Sequence, residues 1–288
     1  SLKDFRFEGE VYAPKEGTPI FPGEPILRVT AKRNQAQFVE TALLNMINFQ
    51  TMIASKASRV VNAAGKADVY DFGLRRAQEE DAAMKGARAC YMAGCAATSN
   101  VKAGKEYGIR VGGTMAHSFV MTFDDELEAF RAYANTFPNY PILLIDTYDT
   151  LHGARNAVVV GKELEQKGYR LGAVRLDSGD LAELSKEVRQ ILDEEGLDYV
   201  NIVASNDLNE HKTEELEKKG APISSYGVGT EMLTAKPVAA VPGVYKLVED
   251  ESGAKIKLSE GKRTMPGKKQ VYRQLGQDGK YLNDIIAL

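Results

Sequence analysis

Residues 174–180 read V-R-L-D-S-G-D, and the fold follows from how this stretch is flanked. Leu171, Ala173 and Val174 form a short apolar run before it, and Leu181, Leu184, Val188, Ile191 and Leu192 recur at helical spacing after it. A strand therefore runs into a helix, with Arg175, Asp177, Ser178 and Asp180 at or near the strand's C-terminal end. This layout predicts that Ser178 and Gly179 sit at the unpaired N–H groups of a helix start, a seat for an anion. Arg175 adds a planar, always-charged fork suited to a carboxylate or phosphate. Asp177 and Asp180 can accept hydroxyl protons or approach a metal. Together these groups suggest a phosphorylated sugar as ligand; a capped helix beside a surface arginine is the plainer alternative.

The same order of strand, polar tip and helix recurs on both sides of that stretch. Val69–Phe72 leads into Gly73-Leu74-Arg75-Arg76, and a helix from about Gln78 to Met92 follows. Ala96–Asn100 ends in Thr98-Ser99-Asn100. Ile109–Gly112 reads as a strand continuing into G-T-M-A-H-S (113–118), with a helix over 124–136. Ile142–Ile145 ends in D-T-Y-D (146–149) ahead of a helix over about 151–167. Val200–Ala204 ends in S-N-D (205–207), and Ile223–Tyr226 ends in G-V-G-T (227–230). About seven such units predict a parallel sheet with helices outside, closed into an α/β barrel whose chemistry gathers at the C-terminal ends of the strands.

The flanks differ. Glu8–Tyr12, Thr18–Phe21 and Pro25–Thr30 are short extended runs separated by Glu16-Gly17 and Pro22-Gly23. From Gln35 to Ala64 the pattern is helical, as one long helix or two with a break. After Val244 it turns to β again: Val244–Val248 and Ile256–Leu258 flank Ser252-Gly253 as a hairpin, and Gln270–Leu275 is a further strand in a tail tinted basic by Lys262, Arg263, Lys268 and Lys269. The expected division is a barrel domain over 34–244 and a discontinuous, mainly β domain from 1–33 and 245–288.

Composition narrows the function classes. The 288 residues are 43% hydrophobic and 27% charged, with a formal net charge of -3. That balance carries no electrostatic footprint for nucleic acid or an anionic membrane. No apolar run approaches the roughly 18 residues of a membrane span, and the start lacks the layout of a signal peptide, so a cytoplasmic location is expected. Cys90 and Cys95, with no second pair and no nearby histidine, are expected to be buried thiols.

Familiar signatures fail one by one. Gly161-Lys162 is followed by Glu163 where a phosphate-binding loop needs Ser or Thr. The dinucleotide fingerprint lacks its third glycine at 227–232, no expected strand carries a lysine for a Schiff base, and G-x-S-x-G is absent. Gly227 and Gly229 allow close backbone approach to an anion, with Thr230 capping the next element, although a simple turn has the same look. Asp146, Asp149 and His152 could be imagined as a metal trio, but Asp149 or Thr150 makes a good helix N-cap. Of the three histidines only His117 falls at a strand tip, where it can be a general base, a ligand, a nucleophile towards a phosphoryl group, or a structural residue.

The tips also read as a known set. D-F-G-L-R-R-A-Q (71–78), A-T-S-N-V-K-A-G (97–104), G-T-M-A-H-S-F (113–119), L-I-D-T-Y-D-T-L (144–151), V-R-L-D-S-G-D-L (174–181), S-N-D-L-N-E (205–210), G-V-G-T-E (227–231) and P-G-K-K-Q-V-Y-R (266–273) together resemble the nicotinate phosphoribosyltransferases. The resemblance implies a type II phosphoribosyltransferase fold, an irregular parallel α/β barrel beside a mainly β domain. It implies transfer of phosphoribose from phosphoribosyl pyrophosphate to nicotinate, with Mg²⁺ and with ATP hydrolysed through a phosphohistidine, in a cytoplasmic homodimer of NAD biosynthesis. On matching positions it implies that His117 is the phosphorylated histidine and that Phe72 stacks on the pyridine ring with Arg75 near the phosphates. Arg175 and Asp177 would line the base and ribose pocket, with Thr98, Ser118 and Ser178 contacting substrate. Asp207 would hold ribose hydroxyls, and Gly227, Gly229, Thr230 and Arg76 would bind phosphate. The resemblance assigns no metal ligands.

The departures from the family pattern are specific. The family's amino-terminal section, including a tyrosine that completes the partner's site, has no counterpart here, and the family usually continues beyond Leu288. Gln35 stands where Glu is expected, and His152 falls at a position regarded as variable. The rival readings are a related transferase acting on nicotinamide or quinolinate, and a non-catalytic fragment that binds sugar phosphate or nucleotide.

Overall fold

The protein's architecture is described from a computed structural model covering residues 2–259 and 264–288; Lys262 and Arg263 of the basic tail lie outside the described residues. Two compact units emerge, one from residues 49–240 and one from 1–48 with 241–288. In the discontinuous unit, strands β1 (Gly9–Tyr12) and β2 (Arg28–Ala31) pair antiparallel, with Gly9 opposite Ala31. The extended run expected over Thr18–Phe21 joins no strand. Pro19, Pro22 and Pro25 have no N–H to donate, so a ladder cannot form there. Helices α1 (Arg33–Phe38) and α2 (Glu40–Ala63) are separated at Val39, so the expected long helix is two with a break.

The barrel unit begins within α2, whose Ile53, Lys56, Ala57 and Val60 are buried at helical spacing. Its strands are β3 (Asp68–Asp71), β4 (Ala97–Thr98), β5 (Ile142–Leu144), β6 (Ala173–Leu176), β7 (Asn201–Ala204) and β8 (Ser225–Val228). They form one curled, all-parallel sheet in the order β4-β3-β8-β7-β6-β5, the sheet of an irregular α/β barrel. Strands covered on both faces need nearly continuous apolar runs. Leu143, Leu144, Val174, Leu176, Ile202, Val203, Tyr226 and Val228 provide them, all buried. Arg175 interrupts β6 as its one polar residue, in register with Leu144 and Val203.

Six strands stand where about seven units were expected. Ile109–Gly112 is reduced to a single parallel bridge between Val111 and Thr98. Its neighbour β4 is only two residues long, and Gly112-Gly113 follow at once, so little sheet can propagate. Among the described residues the two edges of the sheet are not joined by backbone ladders. Side chains meet there instead, as described below.

The helices are α3 (Glu79–Met92), α4 (Val101–Tyr107), α5 (His117–Val120), α6 (Glu126–Thr136), α7 (Thr150–Gln166), α8 (Leu181–Glu194), α9 (Glu210–Lys218) and α10 (Thr230–Leu233), of which the short α4, α5 and α10 were not marked by the sequence pattern. Five start at an Asn or Asp whose side chain accepts a backbone N–H: Asn100, Asp125, Asp149, Asp180 and Asn209. Each such cap contributes about 1 kcal/mol. Helix α7 lies so close to β5 that a Cβ on Gly153 would come 2.1 Å from the Ile145 carbonyl oxygen, so only glycine fits. Cys90 and Cys95 are buried free thiols.

The chain returns to the discontinuous unit with a short antiparallel pair, β9 (Glu249–Asp250) and β10 (Gly253–Ala254). The expected hairpin is corrected: its pair lies at 249–250 and 253–254, inside the arms expected at Val244–Val248 and Ile256–Leu258, neither of which is a strand. Strand β11 (Gln270–Leu275) pairs with β12 (Tyr281–Ala287), which the sequence pattern did not mark. Arg273 fastens this end. It donates to Asp284 Oδ1 at 2.8 Å and to the Pro19 carbonyl at 2.7 Å, while lying over the rings of Tyr281 and Phe21. No helix among the described residues is long and apolar enough to cross a membrane.

Candidate active site

Arg175 is the hub of the barrel mouth. Its Nε donates to Ser205 Oγ, its Nη1 to Thr114 Oγ1 and its Nη2 to Asp177 Oδ1, each at 2.8 Å. These partners come from three places: the end of β7, the segment after Val111, and the residue just beyond β6. A rigid planar fork serves three such partners from three separate nitrogens, where a lysine would offer a single one. The guanidinium also lies 5.7 Å from the centre of the Phe72 ring, at the end of β3.

Asp177 is shared between this hub and His117. Its Oδ1 also accepts the Ser205 hydroxyl, and its Oδ2 lies 3.5 Å from His117 Nε2. Burial pushes the Asp177 carboxyl up. The Ser205 hydroxyl, the Arg175 guanidinium and His117 outweigh that and hold it below the usual carboxylate range.

Asp146, just past β5, completes the cluster. Its Oδ2 accepts the Asp177 amide at 2.8 Å and the Ser178 hydroxyl at 2.6 Å. Its Oδ1 is buried with no hydrogen-bond partner among the described residues, 3.9 Å from His117 Nε2. The other imidazole nitrogen, Nδ1, lies 3.2 Å from Thr147 Oγ1. The contacts of His117 with the β5 tip and of Thr114 with Arg175 thus tie the two edges of the curled sheet together at its mouth.

Phe72 is held by backbone and by two glycines. Its amide donates to the Val228 carbonyl at 2.9 Å. A Cβ on Gly227 would fall 2.3 Å from the Phe72 ring, and one on Gly229 would fall 3.1 Å from the Phe72 carbonyl oxygen. Gly227 lies inside β8, opposite Tyr70, rather than in the turn that follows. Next to Phe72, the buried Asp71 accepts the Gly73 amide and the Thr98 hydroxyl, each at 2.8 Å. Burial raises the Asp71 carboxyl above its ordinary range despite those two bonds.

The residues expected at the site divide into two sets. His117, Arg175, Asp177, Ser178, Phe72, Gly227 and Gly229 are joined by the contacts given above. Thr98 is buried, with its hydroxyl committed to Asp71 and to the Asn100 amide. Arg75 and Arg76 lie exposed in a single 3-10 turn, Ser118 is exposed on α5, and Thr230 is the half-buried first residue of α10. Asp207 is exposed in a turn where Asn206 and Asp207 both have positive φ, 111° and 42°.

Two local expectations are corrected. The start of α8 is not an open anion seat, because the Asp180 carboxylate already accepts the Ala182 and Glu183 amides; a carboxylate at that position satisfies the donors and would repel an anion. Asp180 is therefore a helix cap. At α10 the capping position belongs to Gly229, which has no side chain to accept, and not to Thr230. In the other imagined group, the Asp149 side chain caps α7 at the His152 amide and His152 is exposed. Sequence reasoning passed over Thr114, Thr147 and Ser205 as site residues and weighed Asp146 only with Asp149 and His152. The available signal was their position: each follows directly on an apolar strand or, for Thr114, on Gly112-Gly113.

Comparison with known proteins agrees with this layout. The model of the nicotinate phosphoribosyltransferase (NAPRTase) family matches residues 67–241. A nicotinate phosphoribosyltransferase of Mycobacterium tuberculosis is 47% identical over 286 residues, covering 99% of this chain and 61% of that protein. The crystal structure of human nicotinic acid phosphoribosyltransferase matches with a TM-score of 0.86 at 31% identity, covering 98% of this chain and 64% of the human one. A nicotinate-nucleotide pyrophosphorylase from Pyrococcus furiosus matches with a TM-score of 0.81, also at 31% identity, covering 97% of this chain and 69% of that one. The chain thus spans about three-fifths of the length of the first relatives it matches. A barrel mouth built by His117, Asp146, Arg175 and Asp177, matched over most of its length by that family's model, places this chain in the nicotinate phosphoribosyltransferase family.

Proposed function

We propose that the barrel mouth transfers phosphoribose from phosphoribosyl pyrophosphate to nicotinate, yielding nicotinate mononucleotide and pyrophosphate for NAD biosynthesis in the cytoplasm. The pyridine nitrogen's lone pair forms the new bond to C1′ of the ribose, and the C1′–O bond breaks with its electron pair leaving on pyrophosphate. Positive charge builds at C1′ meanwhile, and the Asp177 carboxylate, held ionised by Arg175 and Ser205, is placed to offset it. Phe72 offers a ring face for the pyridine, and Arg175 a charge partner for its carboxylate. Gly229 leaves the first amides of α10 without a side-chain cap, next to where the 5′-phosphate is proposed to sit. The observation that carries the proposal is the convergence of His117 and Arg175 on the two oxygens of Asp177, each within ion-pairing reach.

ATP enters the proposal through His117. With the Nδ1 proton directed to Thr147 Oγ1, Nε2 keeps the lone pair that attacks the γ-phosphorus, and ADP leaves with the bonding electrons. The phosphoryl group on Nε2 would stand beside Asp177 and Asp146. Like charges so close need a cation between them. The unpartnered, buried Asp146 Oδ1 and the Asp177 Oδ2 fit Mg²⁺, which binds through one or two carboxylates plus substrate phosphates. When bound there, the ion would supply charge neutralisation for phosphoryl and pyrophosphate oxygens. The proposal also takes the working form to be a homodimer.

Incubating the chain with phosphoribosyl pyrophosphate, Mg²⁺, ATP and, in separate reactions, nicotinate, nicotinamide or quinolinate tests this. Nicotinate mononucleotide from nicotinate, at a rate far above the other two acceptors, is expected. A preference for quinolinate or nicotinamide would replace the acceptor, and binding of substrate without product would favour a non-catalytic role. Unchanged ATP stimulation in His117→Ala would remove the phosphohistidine.

A further inference from the structure

Lys56 is a buried charge that the proposed chemistry does not use. It lies on α2, and its side chain is 6% exposed. Its ammonium pairs with Glu210 Oε2 and lies 3.6 Å from Glu231 Oε2. Glu231 also lies 3.6 Å from the half-exposed Lys236. Burial pushes the Glu210 carboxyl up, yet the Lys56 hydrogen bond and charge, with the Glu210 amide, hold it below the usual range.

The position of the two carboxylates is what matters. Glu210 is the first residue of α9, three residues past Asp207 of the positive-φ pair Asn206-Asp207 that follows β7. Glu231 is the second residue of α10, two residues past Gly229, which follows the end of β8. Strands β7 and β8 are neighbours in the sheet. A single buried ammonium therefore ties together the turns after two adjacent strands. Without it two carboxylates would face each other in a setting where removing one partner of a buried pair is costly.

We propose that Lys56 is a positioning residue for the phosphoribosyl end of the site, fixing the spacing between the Asp207 turn and the Gly229–Thr230 turn and neutralising Glu231 beside the phosphate. The proposal rests on the transferase function above, with the 5′-phosphate at Gly229 and with Asp207 taken to hold ribose hydroxyls, as the family resemblance implies. Lys56 touches no reacting atom. Its loss should weaken phosphoribosyl pyrophosphate and leave the pyridine end, built from Phe72 and Arg175, undisturbed.

The test compares the wild-type chain with Lys56→Met, Lys56→Arg and the double variant Lys56→Met/Glu231→Gln. Steady-state product formation is read together with calorimetry of phosphoribosyl pyrophosphate binding. Lys56→Met should raise the KM and Kd for phosphoribosyl pyrophosphate about tenfold or more, with the nicotinate KM within about twofold. Lys56→Arg should recover most of the affinity by keeping the charge, and the double variant part of it by removing the stranded carboxylate. Unchanged phosphoribosyl pyrophosphate affinity in Lys56→Met would overturn the proposal. So would equal losses at both substrates that neither the arginine nor the double variant relieves, since that pattern marks a merely structural lysine. A wild-type chain that binds phosphoribosyl pyrophosphate but forms no product refutes the transferase function and leaves the Lys56 effect readable in the calorimetry. A wild-type chain that binds none overturns both.

Discussion

Replacing Arg175 by Met removes three side-chain hydrogen bonds and one ion pair while keeping an apolar chain of similar length. The two bonds to the hydroxyls of Ser205 and Thr114 are each worth about 1 kcal/mol. Losing the partner of Asp177 adds roughly 2 kcal/mol, below the usual cost of breaking a buried pair because the two side chains are 17% and 29% exposed. The barrel should therefore be destabilised by about 4 kcal/mol at pH 7, a fall in Tm of roughly 10 °C for a unit of this size. The pH dependence separates the parts. In the wild type the Asp177 carboxyl is held below its ordinary range, so its contribution is fully present above the unfolded pKa and is lost as pH falls through the folded value. The gap between wild type and Arg175→Met should be widest near neutrality and shrink to about 2 kcal/mol, the hydroxyl share, as pH falls through the folded value of Asp177. Thermal melts of both proteins from pH 7 down to about pH 1.5, well below the ordinary carboxylate range, measure it. A gap of the same size at both ends of that range would refute the reasoning, because it would mean that the Arg175–Asp177 charge pair contributes nothing.

Three further outcomes follow from individual contacts. Gly153→Ala forces a Cβ against the Ile145 carbonyl oxygen and should cost about 2 kcal/mol or more, seen as an earlier urea midpoint with an unchanged slope. Asp180→Ala should lower stability by about 1 kcal/mol through loss of the α8 cap, also read by urea unfolding; no loss would return Asp180 to the list of ligand-binding candidates. Phe72→Ala should raise the nicotinate KM about tenfold with a smaller effect on phosphoribosyl pyrophosphate, in keeping with loss of a stacking face worth roughly 1.5 kcal/mol; steady-state kinetics with each substrate varied would show it.

The barrel was legible because parallel strands and their covering helices write different periods. The runs around Leu143, Val174 and Ile202 could hardly be anything but buried strands, and the Asp and Asn residues after them announced helix starts. Strand ends were less legible. Gly227 reads as a turn glycine, yet it lies within β8 because the Phe72 ring needs the space that a side chain would fill. Val111 reads as part of a full strand, but its neighbour β4 is too short to extend the ladder. At the site, charged residue types drew attention to His117, Arg175 and Asp177. Thr114, Thr147 and Ser205 went unnoticed because a hydroxyl at a strand tip looks like any loop residue until the fold brings it to a partner. Asp146 was weighed only with Asp149 and His152, its neighbours in sequence. Its actual neighbours are far along the chain: Ser178 follows the adjacent strand β6, and the curl of the sheet brings His117 across from the other edge. The discontinuous unit was least legible, since β12 alternates weakly and forms its ladder with β11 around the Arg273–Asp284 contact.

The most direct test of one shared site at the barrel mouth is a crystal structure of the chain with nicotinate mononucleotide and pyrophosphate. The pyridine ring is expected to stack on Phe72 with its carboxylate at Arg175, and the 5′-phosphate to meet the amides at Gly229 and Thr230, with pyrophosphate oxygens turned towards His117. A nucleotide bound away from these residues, with the contacts among Arg175, Asp177 and His117 undisturbed, would contradict the account.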